Sequence, residues 1–292
     1  MTRKGFFTDT SVCIGCKACE VACKEWNAVP EDGLVLSGMS YDNTQGLGAS
    51  TWRHVAFIEQ VRPLSDPGPT PPVDLGMPGT ALPGQQRDSG SATPFRWLME
   101  SDVCKHCTHA GCLDVCPTGS LFRTEFGTVV VQDDICNGCG YCVPACPYGV
   151  IERREGPKDP DQGANAVGIA QKCTLCYDRL TDGLEPACAK ACPTNSIQFG
   201  DLDELRERAQ GRLDLLVEAG ERTAQLYGHD EGDGVGGTGA FFLLLDEPEV
   251  YGLPPDPVVP TRDLAQMWRS AGLAALGLLA GTIAVFGAGR RS

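Results

Sequence analysis

The chain has 292 residues, 16 of them cysteine, and a formal net charge of -14. This length accommodates one or two domains with a hydrophobic core. The negative charge argues against a nucleic-acid-binding protein, because few basic side chains are available to neutralise phosphates. We expect no cleavable export signal, since the first ten residues, MTRKGFFTDT, contain neither an apolar h-region nor a twin arginine.

The cysteines fall into four blocks of four, with none left over. Block one has the spacing C-x2-C-x2-C-x3-C and continues with Lys24, whereas each later block ends in Cys-Pro. Block three has the same spacing followed by proline, a run in which three cysteines wrap one iron–sulfur cluster and the fourth reaches a neighbouring cluster. The blocks are Cys13, Cys16, Cys19 and Cys23 (block one), Cys104, Cys107, Cys112 and Cys116 (block two), Cys136, Cys139, Cys142 and Cys146 (block three), and Cys173, Cys176, Cys188 and Cys192 (block four).

Two other uses of cysteine fit this spacing less well. Disulfide scaffolds are usually small secreted domains that cannot build a core, and cysteines this close in a tight loop cannot be joined without distortion. Zinc prefers two well-separated C-x2-C pairs, whereas three of the blocks place a third cysteine a few residues after the first pair. We therefore expect four clusters with four thiolates each. A zinc-stabilised scaffold is the alternative, and it would lack both colour and iron.

Between blocks one and two the sequence predicts a strand and then an irregular segment. WRHVAFIEQV (52–61) predicts a short strand that flanks block one. Residues 63–94 contain eight prolines and five glycines, a composition that predicts an exposed excursion without regular structure.

Blocks two and three are joined by residues 117–135, in which GSLFRT and TVVVQDD predict the two strands of a hairpin. This layout is that of a two-cluster ferredoxin, so we expect blocks two and three to exchange their fourth cysteines. By elimination, blocks one and four form the second pair. One ferredoxin-like unit is then inserted in the other.

Block four is followed by a predicted strand, helix and strand. SIQFG (196–200) predicts the first strand, and Asp201 with Glu204 fits a capping box that opens an amphipathic helix. AFFLLLDE (240–247) predicts a buried or partner-facing strand. The expected core face of the helix consists of Leu202, Leu205, Ala209, Leu213 and Leu216.

The C-terminal segment Ser270–Gly289 contains 20 uncharged residues. As a helix it would extend for about 30 Å, the thickness of the hydrocarbon core of a bilayer. Trp268 lies where an interfacial aromatic belongs, and the GLLAG at 277–281 would allow close approach of another helix. We predict a single transmembrane helix, with a buried helix of a soluble protein as the alternative.

Other side chains near the cysteines have less specific expected roles. Five basic residues beside cysteines can raise a cluster potential, but we expect most of them to be solvated or to contact a partner; they are Lys17, Lys24, Lys105, Lys172 and Arg179. Ligation by His106 or His109 is not expected, because the cysteine set is complete. Four aromatic residues are expected to shield clusters within the core: Trp26, Tyr141, Tyr148 and Tyr177.

Several stretches carry a resemblance to a known family: CIGCKACEVACKEWN, CGYCVPACPYGV, KCTLCYDRLTDGLEPACAKACPT, EGDGVGGTG, and YGLPPDP followed by the terminal span. With these stretches the chain resembles the beta, iron–sulfur subunit of respiratory, membrane-bound formate dehydrogenase. The resemblance covers nearly the whole chain apart from residues 63–94. The cysteine blocks alone also fit the electron-transfer subunits similar to those of dimethyl sulfoxide, polysulfide and nitrite reductases.

The resemblance implies four [4Fe–4S] clusters, each held by one quartet of cysteines. The implied quartets are Cys13, Cys16, Cys19 and Cys192 (quartet A), Cys23, Cys173, Cys176 and Cys188 (quartet B), Cys104, Cys107, Cys112 and Cys146 (quartet C), and Cys116, Cys136, Cys139 and Cys142 (quartet D). These sets agree with the pairing of blocks inferred from spacing.

The expected fold is α+β, with two ferredoxin-like bi-cluster units, one inserted in the other, and a C-terminal single transmembrane helix. The expected segments are 1–62 (first half of the outer unit), 63–94 (Pro/Gly-rich excursion), 95–155 (inner two-cluster unit), 156–200 (second half of the outer unit), 201–265 (C-terminal helix and strand extension) and 266–289 (transmembrane helix).

The resemblance further implies a non-catalytic subunit of an oxidoreductase complex. It would conduct electrons from a molybdenum- or tungsten-pterin alpha subunit, which oxidises formate, to a cytochrome b-type gamma subunit in the bilayer that reduces quinone. The expected location is the cell (inner) membrane, with a single pass and the soluble domain on the outer face. The alternatives are the same electron-transfer role in another molybdopterin oxidoreductase, or an iron–sulfur redox sensor, which would need neither four clusters nor a membrane span.

Overall fold

The computed structural model describes residues 2–32, 36, 38, 41–44, 46–61, 95–156 and 167–289. The predicted excursion at 63–94 lies outside the described residues. The strands are β1 (Lys4–Asp9), β2 (Arg53–Val61), β3 (Phe95–Val103), β4 (Leu121–Arg123), β5 (Val129–Val131), β6 (Glu152–Arg153), β7 (Ala170–Gln171), β8 (Ile197–Asp201), β9 (Gln225–Tyr227) and β10 (Ala240–Leu244). The α-helices are α1 (Ala18–Asn27), α2 (Gly111–Asp114), α3 (Tyr177–Thr181), α4 (Ala187–Lys190), α5 (Leu202–Glu218) and α6 (Leu264–Gly289), and short 3-10 helices span Thr10–Val12 and Pro248–Tyr251.

The largest sheet has four strands in the order β8-β1-β10-β9. The strand β1 pairs antiparallel with β8 and parallel with β10, so it lies between the strand after block four and the C-terminal extension. Phe6 and Phe7 of β1 and all residues of β10 are buried. The prediction of a buried strand in AFFLLLDE is therefore confirmed, and its neighbours belong to this chain.

In the described part of the chain, three two-stranded antiparallel pairs accompany this sheet. The hairpin β4–β5 confirms the prediction for residues 117–135, with Leu121 opposite Val131. The predicted strand at 52–61 is β2, and it pairs over nine residues with β3. We did not predict β3, because its sequence FRWLMESDV mixes apolar and charged residues without a regular period. The third pair is β6–β7.

The helix α5 packs against the large sheet with the predicted face. Leu202, Leu205 and Ala209 are buried and join Phe7 and Phe241 in one apolar cluster, with Leu213 and Leu216 packed at its edge. The predicted capping box is wrong. Asp201 occupies the N-cap position, but its side chain makes no capping hydrogen bond. Because Lys4 lies opposite Asp201 in the sheet, the Asp201 carboxylate pairs with the Lys4 ammonium at 2.7 Å instead.

Replacing Leu205 with alanine tests this packing. Leu205 is 1 % exposed, so we expect its truncation to lower the free energy of unfolding by about 2–5 kcal/mol, from lost burial and the cavity left behind. Leu215 on the same helix is 60 % exposed, and Leu215→Ala should change stability by less than about 0.5 kcal/mol. Unfolding temperatures at one scan rate compare the two variants, and equal temperatures would contradict the assigned face.

Candidate iron–sulfur cluster sites

The loop of block one is shaped by a glycine and covered by the strand pair β2–β3. Gly15 has φ +65°, and a Cβ at this position would lie 2.6 Å from the ring of Phe57 on β2. The loop leads into α1, which begins at Ala18 and places Cys19 and Cys23 one turn apart, both buried. The two thiols thus share one helix face but serve different quartets.

The members of quartet A line one cavity. Its walls include Cys13, Cys16, Cys19 and, from block four, Cys192. Ser101 of β3 also lines the cavity, and its hydroxyl oxygen lies 3.2 Å from the Cys19 sulfur. The structure therefore brings the first three cysteines of block one together with a thiol 173 residues beyond the last of them.

Quartet B lies where α1 packs against α4. All four of its cysteines are buried. Burial raises the pKa of Cys23 well above the usual thiol value, and the charges of Cys173, Cys188 and Cys176 raise it further. The Asn27 side-chain amide lies 3.7 Å from the Cys23 sulfur and 3.9 Å from the Cys176 sulfur. The fourth thiol of block one therefore meets three thiols of block four.

Quartets C and D combine blocks two and three in the same way. A second cavity is lined by Cys104, Cys107, Cys112 and Cys146, the four members of quartet C. In quartet D the pKa of Cys142 is raised to about 11, mainly by burial and in addition by the charges of Cys136, Cys139 and Cys116. Each of these two groups thus contains thiols of both block two and block three.

The loop of quartet D depends on a glycine that has no room for a side chain. Gly138 has φ +71°, and a Cβ there would collide with the carbonyl oxygen of Gly168. Gly140 in the same block has φ +78° but open space around it. We expect Gly138→Ala to lower the iron content and the unfolding temperature, whereas Gly140→Ala should cost only the left-handed backbone penalty of about 1–2 kcal/mol. Iron per chain measures the difference, and equal iron loss in both would contradict the packing argument.

The quartets fit a [4Fe–4S] cluster better than a single metal ion. All sixteen cysteines are described, and none forms a disulfide. Among the described residues, no three His, Cys, Asp or Glu side chains converge on a point that could hold one ion. A zinc site needs four ligands within about 2.3 Å of the metal. Quartets A and C each line one cavity with four thiols, and four thiolates are the ligand set of an all-thiolate cubane.

Neighbouring quartets are connected through pairs of thiols that interact electrostatically. In each pair, burial is the main cause of a raised thiol pKa, and the thiol of the neighbouring quartet raises that pKa further. The pairs are Cys19 with Cys188 between quartets A and B, Cys173 with Cys104 between B and C, and Cys112 with Cys142 between C and D. The quartets are therefore arranged in the order A, B, C, D.

Exposure of the cysteines varies along this row. Cys16 of quartet A and Cys139 of quartet D are exposed, whereas every other cysteine is buried or half-buried. The row thus approaches solvent at its two ends and is shielded in the middle.

Three of the five basic residues near cysteines differ from expectation because they are buried, namely Lys105, Lys172 and Arg179. Lys105 and Lys172 are only 1 % and 2 % exposed, so they are not solvated charges. Lys105 pairs with Asp102 and lies 5.3 Å from the centre of the Tyr148 ring. The Lys172 ammonium donates to the carbonyl oxygens of Val129 and Cys173. Their burial follows from β5 and β10 packing over them, which the local sequence does not reveal.

The structure also corrects the expectation for two of the four aromatic residues, whereas Tyr148 packs against the core as expected. Trp26 and Tyr141 are 47 % and 63 % exposed, so neither is a core residue. The Trp26 indole donates to Asp178 at 2.7 Å, and its ring stacks on the Arg179 guanidinium, whose carbon lies 4.2 Å from the ring centre. Arg179 is itself buried. The indole therefore covers a buried cation from outside.

Arg53 is a site residue that the sequence analysis missed. It is the first residue of β2 and is 1 % exposed, although it lies 30 residues after the last cysteine of block one. Its charge interacts with Cys188, Cys19, Cys173 and Cys23. The stretch WRHVAFIEQV places an arginine near the start of a strand that was predicted to flank the clusters, and this could have indicated the contact. The contact was not predicted because Arg53 is distant from the cysteines in the sequence.

The chain is similar to known iron–sulfur proteins. Family models described as 4Fe-4S dicluster domain match residues 12–120 and 95–202. The formate dehydrogenase iron–sulfur subunit of Haemophilus influenzae is 38 % identical over 255 residues, 86 % of this chain and 68 % of that protein. The nitrate-inducible formate dehydrogenase iron–sulfur subunit of Escherichia coli K12 is 37 % identical over 278 residues, 93 % and 79 % of the two chains. This protein belongs to the family of formate dehydrogenase iron–sulfur subunits. A subunit of the anaerobic dimethyl sulfoxide reductase of Escherichia coli K12 is related to it, 31 % identical over 71 % of this chain and 78 % of its own length.

As a member of this family, the iron–sulfur subunit carries four [4Fe–4S] clusters and is an electron-transfer subunit of a molybdopterin oxidoreductase. Its fold contains two ferredoxin-like dicluster domains with mixed helix and strand content. Within the described residues, the one helix long and apolar enough to cross a membrane is α6, over Leu264–Phe286. The most apolar part of this helix has no buried residues.

Proposed function

We propose that this subunit conducts electrons from a formate-oxidising molybdenum- or tungsten-pterin subunit to a cytochrome b-type membrane subunit that reduces quinone. The observation that carries the proposal is the row of four quartets, exposed at both ends and shielded between them. When bound, each [4Fe–4S] cluster supplies a one-electron redox couple. Relatives named as formate dehydrogenase subunits support formate as the substrate of the partner.

The proposed ligands are the four quartets as defined above, and the proposed organisation follows from them. Quartets A and B combine blocks one and four, whereas C and D combine blocks two and three. We therefore propose that residues 95–155 form an inner two-cluster unit, inserted between the halves 1–62 and 156–200 of the outer unit. Residues 201–265 extend the outer unit through β10, which adds to its sheet.

The segment before α6 supports a polarity for the row. The Thr261 hydroxyl donates to the Asp114 carboxylate of α2 at 2.5 Å, and Val259 packs against Gly111 of the same helix. Because α2 carries Cys112 and precedes Cys116, the chain enters the membrane helix beside quartets C and D. We propose that quartet D faces the membrane subunit and that quartet A, at the other end, faces the catalytic subunit.

The function is tested with the complex purified from membranes. We expect about four clusters per subunit by iron and sulfide analysis, bleaching of their visible absorbance on adding formate, and recovery on adding quinone. Full cluster content with no response to formate would exclude the formate assignment. If dimethyl sulfoxide, polysulfide or nitrite then reoxidised the chemically reduced complex, the electron-transfer role would remain with a different catalytic partner.

We further propose that α6 anchors the subunit in the cell (inner) membrane by a single pass, with the soluble domain on the outer face. Its length and composition support the anchor, and similarity to respiratory subunits supports the location. Protease added to intact spheroplasts should digest the soluble domain. Protection in intact spheroplasts, with digestion after lysis, would contradict the outward orientation.

A further inference from the structure

Arg53 is fully buried and held rigidly at the start of β2. One terminal nitrogen of its guanidinium donates to the Ser101 carbonyl oxygen at 3.2 Å and to the Ser101 hydroxyl at 2.9 Å. The guanidinium carbon lies 4.9 Å from the centre of the Phe6 ring, which closes the other side. An arginine with these contacts has little freedom to turn toward solvent.

The charges that face Arg53 are thiols from two different quartets. The Ser101 hydroxyl that accepts from Arg53 lies 3.2 Å from the Cys19 sulfur of quartet A. Phe6, which closes the other side of the guanidinium, packs in one cluster with Cys23, Cys173 and Cys188 of quartet B. The Arg53 charge interacts with all four of these thiols. No carboxylate of the described residues forms an ion pair with Arg53. A buried charge requires an opposite charge close by. The anionic cysteine quartets are the groups in place to provide it.

The other buried cations near the cysteines are arranged differently. Lys105 has its own carboxylate partner, Asp102. Lys172 is bound by two carbonyl oxygens, and its charge acts on Cys112 of quartet C. Arg53 is thus distinguished by facing quartets A and B together, across the gap between them.

We propose that Arg53 is the shared counter-ion of quartets A and B and that it raises the reduction potentials of both bound clusters. The inference rests on the proposed ligand sets. Reduction adds negative charge to a thiolate-bound cluster, so a fixed positive charge stabilises the reduced form. A single arginine then raises the reduction potentials of two neighbouring clusters together, which favours electron transfer between them.

The test is an EPR-monitored redox titration of the purified complex carrying Arg53→Met. We expect two of the four midpoint potentials to fall. At a fixed applied potential, the ratio of reduced to oxidised cluster should drop about tenfold for those two, a shift of about 59 mV for a one-electron couple. Arg53→Lys keeps the charge and should leave the midpoints close to wild type. Iron content is measured in every variant.

Two matched controls separate a local effect from a general one. Arg208→Gln removes one positive charge from an exposed site on α5, where the guanidinium donates to the Gln198 side chain, and should leave all four midpoints unchanged. Lys172→Met removes a buried charge that acts on quartet C, and should not move the potential of quartet A.

Unchanged midpoints in a fully loaded Arg53→Met variant would overturn the proposal, as would an equal shift of all four. If Arg53→Met loads only two clusters while Arg53→Lys loads four, the buried charge is needed for assembly, which supports the proposal. If neither variant binds four clusters, the hydrogen bonds to Ser101 rather than the charge explain why Arg53 is required, and the proposal is wrong. Failure of the proposed ligand sets would be distinguishable, because replacing Cys173 together with Cys192 would then alter one cluster rather than two.

Discussion

Replacing Cys192 with alanine is expected to destroy or alter a single cluster, the one that block one begins to build. Cys192 lines the same cavity as Cys13, Cys16 and Cys19, although it belongs to block four in sequence. A cluster with three thiolates is either lost, which removes about a quarter of the iron, or converted to a three-iron form. In either case the other three quartets keep their ligands.

Double replacements identify which cluster is affected. In the proposed sets Cys192 shares quartet A with Cys16, whereas Cys173 belongs to quartet B. Cys16→Ala with Cys192→Ala should therefore alter one cluster, as each single replacement does. Cys173→Ala with Cys192→Ala should alter two. Iron analysis and the number of EPR signals provide the count, and the reverse pattern would show that each block binds its own cluster.

Ending the chain after Asp263 is expected to abolish membrane attachment and leave the clusters in place. The side chains of α6 from Leu264 to Phe286 are exposed throughout, and the hydrogen bond from Thr261 to Asp114 is retained in the shortened chain. A helix of this length and composition accounts for stable insertion, because each lipid-facing apolar side chain favours the bilayer. The purified shortened subunit should remain in the soluble fraction in liposome flotation, with full iron.

A chain ending at Gly289 is the matched control, because it lacks only the last three residues and keeps the whole apolar segment. It should float with the liposomes like the full chain. Flotation of the chain ending at Asp263 would show that another surface binds lipid. Loss of its iron would show that α6 also supports the cluster domain, contrary to its exposed side chains.

Most of what could be predicted from sequence depends on short-range spacing. The three-residue steps within block one set how far neighbouring thiols can reach, so the spacing indicates clusters before any fold is known. The apolar positions Leu202, Leu205 and Ala209 repeat at helical spacing, and they form the buried face of α5 as expected. The run VVV of β5 is a strand for an equally local reason, since β-branched side chains favour the pleated sheet.

Two predictions about single charged residues were wrong because their partners lie far away in the sequence. By its local sequence Asp201 fits a capping box. In the fold, β8 pairs with β1 and places Lys4 opposite Asp201, so the Asp201 carboxylate forms an ion pair with the Lys4 ammonium. Beside a cysteine, Lys172 was expected to be a solvated charge. In the fold its ammonium donates to the carbonyl oxygen of Val129, 43 residues away. In both cases the local sequence pattern is present, but a contact with a distant residue determines the environment of the side chain.

The sequence by itself therefore determined the cofactor class, the number of clusters and the presence of a helix long and apolar enough to span a membrane, because these depend on ligand type, local spacing and the length of an apolar run. The tertiary structure decided the order of the quartets, the burial of Lys105 and Lys172, and the position of Arg53 between two quartets. These features depend on which segments pack together, and a charge is buried or solvated according to neighbours that lie far away in the sequence. Arg53 and Cys188, 135 residues apart, are the clearest instance.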